Sequence, residues 1–96
     1  GYTGEQILSI YEEVSVNEKI TLIDELIGEK GECHFDDLIT RAGNLLDVVC
    51  AFMAVLEAVK LKMVSVWQHS MFGDIKLKAY EEEKPQSAEP QPDNAQ

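Results

Sequence analysis

Residues 45–77 read LLDVVCAFMAVLEAVKLKMVSVWQHSMFGDIKL, and within them the hydrophobic period changes from helical to extended. Leu45 to Leu61 contains no Gly or Pro and is crowded with apolar side chains, which predicts the longest helix of the chain. From Met63 to His69 the pattern alternates, with Val64 and Val66 on one face and Met63, Ser65 and Trp67 on the other. Ser70-Met71-Phe72-Gly73 is a short connection, after which Ile75, Leu77 and Ala79 alternate against Lys76, Lys78 and Tyr80. Two short alternating runs joined this way predict an antiparallel hairpin.

Upstream, Ser15-Val16-Asn17-Glu18 has the S-x-x-E form of a capping box, which places a helix start at Val16. Ile20, Ile23, Leu26 and Ile27 follow at helical spacing, and Gly28 and Gly31 offer exits. Glu32 to Phe35 reads as a short extended piece, and Asp36 as the N-cap of a brief helix through Leu38, Ile39 and Ala42, closed by Gly43-Asn44. The order helix, short strand, helix, helix, strand, loop, strand predicts an α+β winged helix over residues 15–80, with three core helices, a short strand and a β-hairpin wing. Residues 1–14 fit either a helix lined by Ile7, Ile10, Tyr11 and Val14 or extended pieces around Leu8-Ser9-Ile10. Residues 81–96 hold all three prolines and almost nothing apolar, so this acidic Gln/Pro tail is expected to be disordered.

Ninety-six residues with such a tail leave room for one domain of about 65 to 75 ordered residues, marginal in stability by size alone. The formal charge is −10, of which the tail carries −4, so the domain itself is acidic. The chain's eight Lys and Arg are scattered, which disfavours a polyanion as partner. With no run of eighteen apolar residues and no basic-then-apolar leader, no membrane association is expected, and the chain reads as a fragment of a longer cytoplasmic protein. Cys33 and Cys50 have no framework spacing and read as buried free thiols.

On a helical wheel Leu45, Val48, Val49, Phe52, Val55, Leu56 and Val59 fill one arc, the expected core stripe. Leu46, Cys50 and Met53 widen the apolar surface to roughly 220°, where a surface helix needs little more than 100°. The excess is covered either by the rest of the domain or by a partner. The remaining side, Asp47, Ala51, Ala54, Glu57 and Ala58, is expected to face outward. In a DNA-binding winged helix that side carries donors for bases and phosphates, and carboxylates and alanines do not serve. The wing offers Met71, Phe72 and Asp74, of which the first two suit a protein surface. Trp67 alternates away from the Val64 face, so it is either an interface anchor or tucked against the first helix or N-terminal segment. Asp74 reads as a cap of the wing turn.

No catalytic constellation is visible: His34 and His69 lie beside no nucleophile, and there is no Gly-rich phosphate loop. Cys33-His34 with Asp36-Asp37 lacks the spacing of a zinc site. No metal, cofactor or enzymatic activity is expected.

The run Val48 to Val64, then Trp67-Gln68 and Phe72-Gly73-Asp74-Ile75, resembles the end of segregation and condensation protein A, the bacterial kleisin. That family's helix reads like F-x-A-x-L-E-x-x-K-L, its strand ends near a Gln and its wing is written F-G-D-I. Phe52, Ala54, Leu56, Glu57, Lys60, Leu61, Gln68 and Phe72 to Ile75 match. Glu12 to Ile20 is similar to the family's acidic segment and S-V-x-E-K-I helix start, so the resemblance runs from about Glu12 to Leu77. Tyr2 to Tyr11 and the tail depart from it. The resemblance implies a nucleoid-associated cytoplasmic protein of chromosome segregation and condensation. In that family the C-terminal winged helix docks on the ATPase head of an SMC protein, the N-terminal domain grips the neck of the partner SMC subunit, and the middle binds segregation and condensation protein B. Only the first role fits this chain. The contacts expected for it are Trp67, Met71, Phe72, Ile75 and Leu77, with the outer hairpin strand offering a free edge; alternation places Ile75 and Leu77 closer to the domain's own core. The competing expectations are an acidic winged-helix DNA-binding transcription regulator and a self-associating module.

Overall fold

A computed structural model describes residues 1–71 and 73–82. The elements are helix α1 (Gly4–Lys30), strand β1 (Glu32–His34), a 3-10 turn (Phe35–Leu38), helix α2 (Leu45–Lys60) and strands β2 (Val64–Gln68) and β3 (Ile75–Ala79). Phe72 of the wing and residues 83–96, part of the tail 81–96 expected to be disordered, lie outside the described residues.

α1 does not begin at Val16. Its capping box is Thr3-x-x-Gln6: the Gln6 amide donates to Thr3 Oγ1 at 3.1 Å and the Thr3 amide to Gln6 Oε1 at 2.8 Å. No Gly or Pro interrupts the chain between Glu5 and Ile27, so the helix runs through Ser15 and its unused S-x-x-E signal. Ser15 is instead a buried interior residue whose hydroxyl finds no hydrogen-bond partner. The far end behaves as the glycines predict. Gly31 adopts φ +79 and its amide donates to Ile27 O at 2.8 Å, a left-handed cap that a side chain would strain.

The hairpin forms as the alternation predicts. β2 and β3 pair antiparallel from Val64↔Ala79 to Gln68↔Ile75, and β1 joins the other side of β3, giving the sheet order β1-β3-β2. Cys33, Leu77 and Val64 turn inward from this sheet onto Ile23 of α1 and Ala51, Ala54, Val55 and Ala58 of α2. In the wing, Gln68 Nε2 donates to Gly73 O at 2.8 Å and the Gly73 amide to Ser70 O at 2.9 Å. A Cβ on Gly73 would lie 2.7 Å from Ser70 Oγ, which explains the glycine. Among the described residues Asp74 meets His34, with its Oδ2 2.6 Å from His34 Nδ1 on the neighbouring strand.

The third helix is reduced to the 3-10 turn, so two α-helices and the sheet make up this α+β winged-helix fold. Asp37 folds back to accept the His34 amide at 2.9 Å, and Asp47 holds the chain beyond Leu38 by accepting the Thr40 amide at 2.9 Å and the Arg41 amide at 3.0 Å. With its amides committed to a carboxylate in α2, this stretch cannot continue as a helix.

Asp47 sits at the first turn of α2, where Asn44 Oδ1 accepts the Leu46 amide at 2.9 Å as N-cap. Its Oδ1 lies 2.8 Å from Lys19 Nζ, and both side chains are almost wholly buried. Lys19 also donates to Leu38 O at 2.6 Å and to Thr40 Oγ1 at 3.3 Å, so the pair joins α1, α2 and the segment between them. Burial pushes the Asp47 carboxyl up, but the Lys19 hydrogen bond, the Arg41 and Thr40 amides and the Lys19 charge outweigh it and hold the group at about 2.

Because the folded carboxyl titrates below its ordinary value, the stability it contributes is complete above the usual carboxylate range and is lost as pH falls toward about 2. Urea unfolding at stepped pH is expected to show stability falling between about pH 4 and pH 2, with this component missing in Asp47→Asn. That variant leaves Lys19 buried without a counter-charge and is expected to cost about 3–5 kcal/mol. Lys19→Met combined with Asp47→Leu should recover part of the loss.

Candidate protein-docking surface

The face of α2 that enters the core is the one its hydrophobicity disfavours. Asp47, Ala51, Ala54 and Ala58 are fully buried, joined by Cys50 and Val55. Leu45, Val49, Phe52, Leu56 and Val59, expected to line the core, are exposed, and Leu56 keeps 60 % of its surface in solvent. The small residues explain the inversion. Alanines at 51, 54 and 58 let α1 approach α2 closely, and Asp47 on the same line meets Lys19. Large side chains there would hold the helices apart and leave the ion pair unmade.

Turned outward, the large residues converge on the sheet. Phe52, Leu56 and Val59 of α2, Val66 of β2, Ile75 of β3 and Phe35 of the 3-10 turn surround a depression of about 300 Å³ floored by Val55, and no polar residue lines it. Phe35 and Phe52 meet edge to face, with ring centroids 5.8 Å apart at 62°, so one wall is braced. β2 lies at the margin of the sheet, and the edge it turns away from β3 carries backbone groups that no described strand pairs.

The residues expected as contacts fall into separate places. Ile75 is half-buried and lines the depression. Trp67 is exposed on the opposite face of the sheet, with Lys78 Nζ 5.1 Å from its ring centroid, so it is not tucked against α1. Met71 is exposed at the wing, and Phe72 lies outside the described residues. Leu77 is 0 % exposed and belongs to the core, so its side chain is closed to a partner. Phe52, Leu56, Val59 and Val66 were hidden from the wheel because hydrophobicity assigned the first three to the core. The available signal was the line of Asp47, Ala51, Ala54 and Ala58, whose small size and 4-3-4 spacing mark a close helix crossing.

The alanine face is inside, so a DNA groove would meet the exposed Leu45, Val49, Phe52, Met53, Leu56 and Val59, which offer no side-chain hydrogen-bond donor, with Lys60 the single cation on that face of α2. Among the described residues no three His, Cys, Asp or Glu side chains are placed to hold a metal ion. Cys33 and Cys50 are buried free thiols, and burial, then the charges of Asp37 and Glu32, push the Cys33 thiol up. No described helix is long and apolar enough to cross a membrane.

No family model matches the chain. Curated relatives do, and they carry the family name that the sequence motifs suggested. The chain is 37 % identical over 60 residues to segregation and condensation protein A of Clostridium acetobutylicum, a match covering 62 % of the chain and 24 % of that protein. It is 34 % identical over 70 residues to the protein of the same name from Lactococcus lactis subsp. cremoris, covering 73 % of the chain and 29 % of the relative. The match to that of Streptococcus thermophilus is 28 % over 67 residues, 70 % of the chain. The matched region thus spans about a quarter of the length of these relatives.

If the outward apolar residues are surplus to folding, their removal is cheap and crowding the alanines is not. Leu56→Ala is expected to change unfolding free energy by less than about 1 kcal/mol, whereas Ala54→Leu should cost about 1–3 kcal/mol or more. Urea unfolding of the two variants side by side checks this; a larger loss for Leu56→Ala would return that residue to the core.

Proposed function

We infer that this chain, which belongs to the segregation and condensation protein A family, is the C-terminal winged-helix domain of such a protein and docks on the ATPase head of an SMC protein in a chromosome segregation and condensation complex. The observation that carries the docking reading is the exposed apolar depression between α2 and the sheet, lined by Phe52, Leu56, Val59, Val66, Ile75 and Phe35. A domain this small gains most by burying such residues, and each large one removed from water contributes about 1.5–3 kcal/mol. Left outside together, they mark a surface completed by another protein. Support for the family comes from the name shared by the relatives and from the F-x-A-x-L-E-x-x-K-L run, which places Phe52 and Leu56 in the depression.

In this reading an SMC surface fills the depression and adds backbone pairing along the free edge of β2. Ile75 joins the contact within the depression, Met71 and Phe72 extend it over the wing and Trp67 around the edge of β2, while Leu77 holds β3 in place from inside. The domain itself is not an enzyme: nucleotide hydrolysis belongs to the SMC partner, and segregation and condensation protein B is met by other parts of the full-length protein. The setting is the bacterial cytoplasm, at the chromosome.

Titrating the chain against a purified SMC head should give saturable binding that Phe52→Asp or Leu56→Asp weakens by roughly 100-fold, since each buries a charge in an apolar contact. Trp67→Asp is expected to weaken it less. Circular dichroism should show every variant folded. Unchanged affinity in both α2 variants would remove the depression from the interface, and tight binding to low-salt duplex DNA with none to the head would overturn the kleisin reading in favour of a transcription regulator.

A further inference from the structure

A second surface lies on α1, on the side away from the core. Ser15, Lys19 and Ile23 mark the buried side of this helix. On a wheel at 100° per residue, the seam Ile7, Tyr11, Val14, Glu18, Thr21, Glu25 is turned about 120° away from them. These six recur at alternating intervals of four and three, the spacing that lets one straight helix lie along another. None is buried, and Ile7 and Val14 are more than half exposed. The seam is divided along its length. Its first half is apolar, with Ile10 beside it, and its second half is acidic.

Its charge is one-sided. No Lys or Arg occurs among residues 1–18, Lys19 is taken up by Asp47, and Lys30 falls on the core side of the wheel. None of residues 4–14 is buried, so a partner along the seam would cover apolar surface that the domain leaves in water. A second copy of α1 laid parallel would set Glu18 and Glu25 against their own kind, and one laid antiparallel would set them against the apolar Val14 and Ile7. An anionic membrane is opposed by like-charge repulsion.

We propose that this seam receives an amphipathic helix of another protein whose apolar residues cover Ile7, Tyr11 and Val14 and whose Lys or Arg side chains meet Glu18 and Glu25. The surface is separate from the depression on α2, so the two sites bind independently.

The test uses two synthetic helical peptides as long as α1, with the same leucine half-seam and either Lys or Glu in the other half. Fluorescence anisotropy at low salt should show the Lys peptide binding the 96-residue chain and the Glu peptide not. Val14→Asp should weaken the Lys peptide by roughly tenfold or more, and Phe52→Asp should leave it unchanged. Glu18→Lys with Glu25→Lys, at exposed positions that do not enter the core, should reverse the preference toward the Glu peptide. The proposal is overturned by absence of binding, by a preference that survives the charge reversal, or by loss of binding through Phe52→Asp rather than Val14→Asp. Sedimentation showing a dimer that Val14→Asp dissociates would assign the seam to a second copy instead.

Discussion

The Lys19–Asp47 pair decides which side of α2 becomes the inside. A carboxylate held by an ammonium and two backbone amides has no comparable partners elsewhere in the domain, so any rotation of α2 that exposed its alanines would also break these bonds. Two charges buried together gain little net stability over a well-packed apolar pair, because their desolvation offsets their attraction. The contribution of this pair is orientation. It fixes α2 about its own axis against a hydrophobic preference that favours the opposite face.

From that orientation the remaining features follow. Drawing the Thr40 and Arg41 amides onto Asp47 holds the segment after Leu38 out of helical geometry, so Phe35 and Leu38 come from a single 3-10 turn. Phe35 then stands against Phe52, and their edge-to-face contact walls the depression. Close approach of α1 to the alanine face leaves Phe52, Leu56 and Val59 with no helix to cover them. Only Val66 and Ile75 reach them from the sheet, and those two side chains line the depression without closing it.

Where a residue's environment follows from its neighbours in sequence, the structure was legible. Alternation over Val64 to Gln68 and Ile75 to Ala79 predicted the hairpin, and Gly31 predicted the end of α1. The start of α1 was not, because two capping boxes compete and nothing local says that Thr3-x-x-Gln6 is used while Ser15-x-x-Glu18 lies inside the helix. The face of α2 was not, because a wheel weighs apolar area alone. The deciding partner of Asp47 is Lys19, 28 positions earlier, and that pairing exists only in three dimensions. The apolar depression was hidden for the same reason, since a wheel assigns Phe52, Leu56 and Val59 to the core.

A domain of this size that turns its larger apolar side chains outward gives up core stability it could otherwise use, and the constraint limits what the exposed face can be. Were Phe52, Leu56 and Val59 merely surplus, replacing Asp47 with an apolar residue would free α2 to turn them inward. The buried pair opposes this turn, so the apolar face stays outward. The same reasoning applies to α1 with less force. Its first three turns have no anchor of their own and continue outward because Thr3 and Gln6 cap them, so their apolar seam depends on the helix persisting and not on a buried pair. The α2 surface is therefore present before any partner arrives, whereas the α1 seam depends on its helix cap.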